Sequence, residues 1–269
     1  MWWMTKAWRE LLYPGRSRNF FTLRKMPKLD LLTRDYHLGN AVYCAELSRV
    51  VYRHDIEEDR VPERPTRQEF LAHAGFQQLA FFQDVLTHTQ AILVRHLETG
   101  LRVLVFRGTE QDIRDFLTDV DVGGLGFSLG QPAPLFVHRG FERALDSVWA
   151  DIKSALQEDH GPVWVTGHSL GAALASLACM RYEFACCYTF GSPRVGNQAF
   201  ADLLSKSRIY RVVDDEDIVC KVPLESMGFT HVGEVVELRA PSREINFMSL
   251  FNPVKHLADH TPSLYVKRL

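Results

Sequence analysis

The sequence predicts an α/β fold with a mostly parallel central sheet covered by helices. Three observations carry this. Short β-branched runs alternate with helical patterns from residue 90 onward. A Gly-x-Ser-x-Gly stretch, Gly167 to Gly171, lies between an apolar run and a small-residue helix. The chain has 269 residues with 46% hydrophobic and 24% charged, enough to bury one large core, and is read as a single domain over 1–269.

Residues 1–30 hold seven cations and two anions, a net of +5, against −7 for the rest. Within this basic, Trp-rich arm, Met4, Trp8, Leu11 and Leu12 share a helical face. Two readings stand: an arm packed on its own domain, or a peripheral contact with a membrane interface. Residues 35–52 read as a helix, and 54–68, with Pro62 and Pro65, as a loop. Ala91–Val94 and Arg102–Phe106 form paired strands around a Glu98-Thr99-Gly100 turn. A helix over 141–158 leads to the strand Val163–Thr166 and a helix from Leu170 to about Tyr182. Strands follow at Cys187–Phe190, Ile209–Val213 and Gly233–Leu238, with a helix over Gln198–Ser205.

The overall balance excludes whole-chain disorder, and a pI of 6.6 argues against a nucleic-acid binder. Five cysteines, two of them adjacent, do not form a disulfide framework and suit a reduced compartment. With no signal peptide legible at the N-terminus, a cytoplasmic location is expected, membrane-peripheral if residues 1–12 touch lipid; export by a non-standard route stays open. No cofactor is expected. His256 and His260 have the i, i+4 spacing of a metal pair but no evident third ligand. Asp119 to Gly130 lacks the closing Glu of a calcium loop, and no phosphate loop is present.

Gly-x-Ser-x-Gly occurs twice. Ser128 sits among Gly123, Gly124, Pro132 and Pro134, where no helix can start cleanly. Ser169 follows Val163-Trp164-Val165-Thr166 and precedes Ala172-Ala173-Leu174-Ala175, the strand–turn–helix context a nucleophilic serine needs. In that layout the backbone N–H of Leu170 is an oxyanion donor. The base and its acid follow in the chain. Three histidines come after Ser169, namely His231, His256 and His260, and carboxylates cluster at Asp214-Asp215-Glu216-Asp217. Ile113, Phe116, Leu117 and Val120 line one face of an amphipathic helix.

Further stretches accompany the serine motif in one order: Val105-Phe106-Arg107-Gly108-Thr109, Val137-His138-Arg139-Gly140-Phe141, Thr189-Phe190-Gly191-Ser192-Pro193-Arg194-Val195-Gly196, Asp217-Ile218-Val219 and Asp259-His260. Over roughly residues 90–265 the chain thereby resembles the class 3 lipases, the α/β-hydrolase family that includes filamentous-fungal triacylglycerol lipases. The resemblance implies Asp217 as the acid, His260 as the base with His256 as runner-up, and Asp214 and Asp215 as solvated loop carboxylates. It implies Thr109 as second oxyanion donor, a turn-supporting His168 beside the nucleophile, and a lid over 110–124. A fixed surface helix is the other reading of that segment. The implied activity is hydrolysis of lipid esters, most of all acylglycerols. A phospholipase A1 or short-chain esterase on the same triad, and a catalytically silent binding protein, are the alternatives.

Overall fold

The structure is a computed structural model. It describes residues 11, 13–22, 26–58, 63–108, 134–214, 217–238 and 259–269. Seven strands form one sheet in chain order: β1 (Phe76–Asp84), β2 (Thr89–His96), β3 (Arg102–Phe106), β4 (Val163–His168), β5 (Cys186–Phe190), β6 (Ile209–Asp214) and β7 (Glu234–Leu238). The first two pairings are antiparallel and the remaining four parallel. Among the described residues six α-helices accompany them: α1 (Leu38–Val50), α2 (Arg67–His73), α3 (Arg139–Gln157), α4 (Leu170–Ala178), α5 (Gln198–Leu203) and α6 (Pro262–Arg268).

Every residue of β3, β4 and β5 is buried, as befits strands covered on both faces. Alternation along them splits the core into two layers. Trp164, Tyr188, Tyr210 and Val212 pack with Ala41, Cys44, Leu47 and Val50 of α1 and Tyr265 of α6. Val163, Val165, Cys187 and Ile209 pack with Leu145, Val148 and Ile152 of α3 and Leu174 and Leu177 of α4. The sheet is therefore the middle of three layers, in the α/β-hydrolase arrangement the sequence predicts.

The apolar, uncharged stretch 161–180 is divided between β4 and α4, and no described helix is long and apolar enough to cross a membrane. Three elements depart from expectation. α2 emerges at the end of the expected loop, started by a capping box in which Thr66 Oγ1 accepts from Glu69 N–H and Glu69 Oε2 accepts from Thr66 N–H at 2.6 Å. β1 was not expected; its register shifts between Gln78 and Ala80, which breaks its alternation. The C-terminal helix α6 opens with Pro262. The Trp-rich start of the arm, residues 1–10, lies outside the described residues.

Candidate active site

The parallel strands end in a row at one edge, where sheets of this class collect their functional groups. β4 hands over directly to α4 at Ser169, whose backbone takes φ 60° and ψ −126°. A non-glycine residue there is strained, and the surroundings must hold it. They do: Ser169 N–H donates to Phe190 O at 3.0 Å, and Ser169 O accepts from Ala172 N–H at 3.0 Å. The flanking glycines permit the turn. A Cβ on Gly167 would overlap the Gly171 backbone, and one on Gly171 would overlap Phe106 O. Leu170 takes the first position of α4, where its N–H has no carbonyl one turn earlier.

His168, the last residue of β4, is buried against His260, their ring centroids 4.5 Å apart. Its Nε2–H donates to His260 O at 2.9 Å. Burial first, then the His260 charge, pushes the His168 pKa well below its ordinary value, so this ring is a neutral prop for the His260 backbone. His260 Nδ1–H donates to Asp217 Oδ2 at 2.7 Å, with both side chains fully buried. Its Nε2, carrying the lone pair in that tautomer, is buried without a hydrogen-bond partner among the described residues.

Asp217 is held from three directions. Val219 N–H donates to Oδ1 at 2.8 Å, and Tyr265 Oη donates to Oδ2 at 2.5 Å, beside the His260 contact. Burial alone would raise the Asp217 pKa, but the His260 charge and these hydrogen bonds outweigh it and keep the carboxyl below its ordinary value. Gly191, at φ 59° beyond β5, lies against the pair: a Cβ there would stand 2.9 Å from Asp217 Oδ2 and 2.9 Å from His260 Cε1.

Of the other carboxylates expected in this region, Asp214 is not solvated. It is 1% exposed and ion-paired with Arg268 of α6, which also bonds Asp259 at 3.0 Å. Its position at the end of a buried strand, facing the C-terminal helix, explains the difference. His231 Nε2–H donates to Cys220 O at 2.8 Å. Arg107 stacks over Tyr52, and Gly108 is required because a Cβ would overlap Tyr52 Oη. Thr109, the 110–124 segment, Ser128, Asp215 and His256 lie outside the described residues. Among the described residues no group of three His, Cys, Asp or Glu could hold a metal ion.

Sequence reasoning missed Tyr265 and Gly191 as site residues. Gly191 carried a signal, a glycine directly beyond a buried strand. Tyr265 carried little, being 48 positions from the carboxylate it bonds.

Residues 103–227 match the family model described as lipase (class 3). A lipase of Rhizopus niveus is 36% identical over 169 residues, covering 56% of this chain and 42% of the relative. The secreted mono- and diacylglycerol lipase A of Penicillium cyclopium is 31% identical over 172 residues, covering 60% and 56%. The chain thus spans about half the length of the curated relatives it matches. The solved structure of lipase II from Rhizopus niveus superposes with a TM-score of 0.61 at 28% identity, covering 74% of this chain and 79% of that one. These relatives correct the expectation of a cytoplasmic location: a secreted lipase among them points to the extracellular side. The expectation rested on the first residues and on the cysteine usage, and the sorting of a protein is not written in its fold. The Gly-x-Ser-x-Gly turn, the buried Asp–His pair and these likenesses agree: over residues 103–227 the chain matches the class 3 lipases, and its fold is that of their solved structures.

Proposed function

We propose that the chain hydrolyses carboxylic esters of lipids, acylglycerols above all, through an acyl-enzyme on Ser169. His260 Nε2 takes the Ser169 hydroxyl proton as Oγ attacks the acyl carbonyl, then gives it to the departing alcohol oxygen. Water enters, loses its proton to the same nitrogen, and releases the fatty acid and Ser169. Asp217 fixes the His260 tautomer and stabilises the imidazolium formed in each half-reaction. Leu170 N–H and Thr109 are the oxyanion donors in this reading, each worth about 3–4 kcal/mol in the transition state.

The observation that carries the reading is the contact between His260 Nδ1 and Asp217. With Nδ1–H committed to Asp217 at 2.7 Å, His260 offers a bare Nε2, unpartnered among the described residues, beside His168, the immediate neighbour of the strained Ser169. A structural histidine buried to this degree would pair both nitrogens.

The test is hydrolysis of p-nitrophenyl esters from two to sixteen acyl carbons by the unaltered chain, Ser169→Ala and Ser128→Ala. Cleavage of long chains, with Ser169→Ala reduced about 10⁴-fold or more and Ser128→Ala unchanged, is expected. An active Ser169→Ala overturns the mechanism. Cleavage of only the shortest chains makes the protein an esterase, and head-group profiling separates a phospholipase A1. Absence of fluorophosphonate labelling at Ser169 would mark a silent binding protein.

A further inference from the structure

The apex of the β1–β2 hairpin departs from the chemistry usual for such turns. Tight hairpin apices carry Gly, Asn, Asp or other polar residues. Here Val85 and Leu86 stand at the apex with 65% and 86% of their surface exposed. The turn beneath them is braced. Asp84 Oδ1 accepts from Thr87 N–H at 2.7 Å and from Thr87 Oγ1 at 2.8 Å. Thr87 Oγ1 also lies 2.8 Å from Thr89 Oγ1 and 2.8 Å from Ser147 Oγ of α3. His88 completes the turn in a left-handed conformation, φ 54°. Two aliphatic side chains are thus held outward by a hydrogen-bonded frame that leaves them no core to enter.

The register fixes where this apex lies. Phe82, Ala91, Phe106 and Gly167 share one rung across β1 to β4. Two residues further in the same direction come Asp84 on β1 and Ser169 beyond β4. The apex therefore rises from the serine end of the sheet. Leu135, ahead of α3, and Leu224, beyond β6, are also exposed, by 44% and 54%. Beside the hairpin, α3 presents Arg139, Arg143 and Ser147 at i, i+4 and i+8, all exposed. Ser147 touches the turn, and the Arg143 charge, after the stronger Thr87 hydrogen bonds, helps keep the Asp84 carboxyl below its ordinary value.

We propose that the Val85–Leu86 apex, with Arg139 and Arg143 beside it, docks on an anionic lipid–water interface and holds the Ser169 end of the sheet against it. Two side chains are far too little for a specific protein partner, which takes about 800 Å² from each side. They suffice for a lipid interface, where aliphatic tips enter the acyl boundary and arginines meet anionic headgroups. The purpose of the docking rests on the lipid-ester reading above; the docking itself does not.

The test uses the full chain with phosphatidylcholine vesicles, with and without phosphatidylglycerol. Val85→Ser/Leu86→Ser is expected to bind anionic vesicles about tenfold more weakly or worse, since each CH₂ withdrawn from the acyl boundary weakens binding. Turnover of monomeric p-nitrophenyl acetate should stay within about twofold, because the apex touches none of the reacting groups. Arg139→Gln/Arg143→Gln is expected to lose the preference for anionic over neutral vesicles. Equal vesicle binding by the serine variant and the unaltered chain overturns the proposal, as does an unaltered chain that binds no vesicle. If the vesicle results hold while no ester is cleaved, the hydrolase reading falls and the docking surface stands.

Discussion

Asp217 Oδ2 accepts two hydrogen bonds at once, from His260 Nδ1–H at 2.7 Å and Tyr265 Oη at 2.5 Å. A carboxylate gripped this way is easier to keep ionised and harder to rotate, and both matter for orienting an imidazole. Tyr265→Phe removes the second bond and leaves Asp214 N–H without its 3.3 Å acceptor. Hydrogen bonds to a charged group contribute about 1.5–3 kcal/mol, so kcat/KM should fall roughly ten- to a hundredfold with KM nearly constant. The sign in pH follows from the lowered Asp217 pKa: with one donor gone its carboxyl titrates higher, so the acid limb of the rate profile moves up in pH. An unshifted limb with an unchanged kcat, measured on a variant of native thermal stability, would reduce Tyr265 to packing. Gly191→Ala tests the same pocket from the other side. It puts a Cβ 2.9 Å from the carboxylate and forces a left-handed backbone at φ 59°, the latter alone costing about 1 kcal/mol. Activity should fall further than the loss of thermal stability accounts for; a fully active variant would show the pocket to be looser than drawn.

His231 links the element after β6 to the start of β7, donating to Cys220 O at 2.8 Å. Burial first and the Arg211 charge second push its pKa down to about 3, against an ordinary 6.5. Between those two values the unfolded chain holds a proton that the folded chain refuses, so stability falls as pH drops from 6.5 towards 3. Asp217, with its lowered pKa, acts in the same direction, since protonation removes its charge-dependent bonds. His231→Gln, which keeps a donor for Cys220 O, should therefore flatten only part of the fall in melting temperature between pH 7 and 4; identical slopes for both proteins would remove His231 from the account. The same element scale decides what the sequence could reveal. β3 to β6 were legible because burial on both faces makes them apolar runs, and the Ser169 turn because its two glycines are dictated by backbone contacts inside the motif. β1 was hidden by the shift between Gln78 and Ala80. α2 is seven residues long, too short for a periodicity, although its Thr66–Glu69 capping box was readable in principle. Tyr265 needed the fold itself, because only tertiary packing brings α6 to the carboxylate.

At the scale of the whole chain, the site closes late. Ser169, Gly191 and Asp217 come from the middle of the sheet, but His260, Tyr265 and Arg268 all belong to the last ten residues. α6 is short; it packs Tyr265 and Val266 into the core and adds polar ties to the body. Tyr265 reaches Asp217, and Arg268 is ion-paired with Asp214 and Asp259. Asp214 is 1% exposed, so the pair is a buried one, and burial also lowers the Arg268 pKa. Removing one partner of such a pair strands the other charge, a loss of about 3 kcal/mol or more. Only seven residues separate Arg268 from His260, so the loss should fall first on the site and only afterwards on the sheet. Arg268→Leu is expected to lose p-nitrophenyl ester activity at a lower urea concentration than it loses far-ultraviolet ellipticity, whereas in the unaltered chain the two transitions should lie closer together. Coincident transitions in the variant, merely shifted to lower urea, would show that α6 and the seven-stranded sheet unfold as one unit, and that the chain end secures the whole fold and not the Asp217–His260 pair in particular.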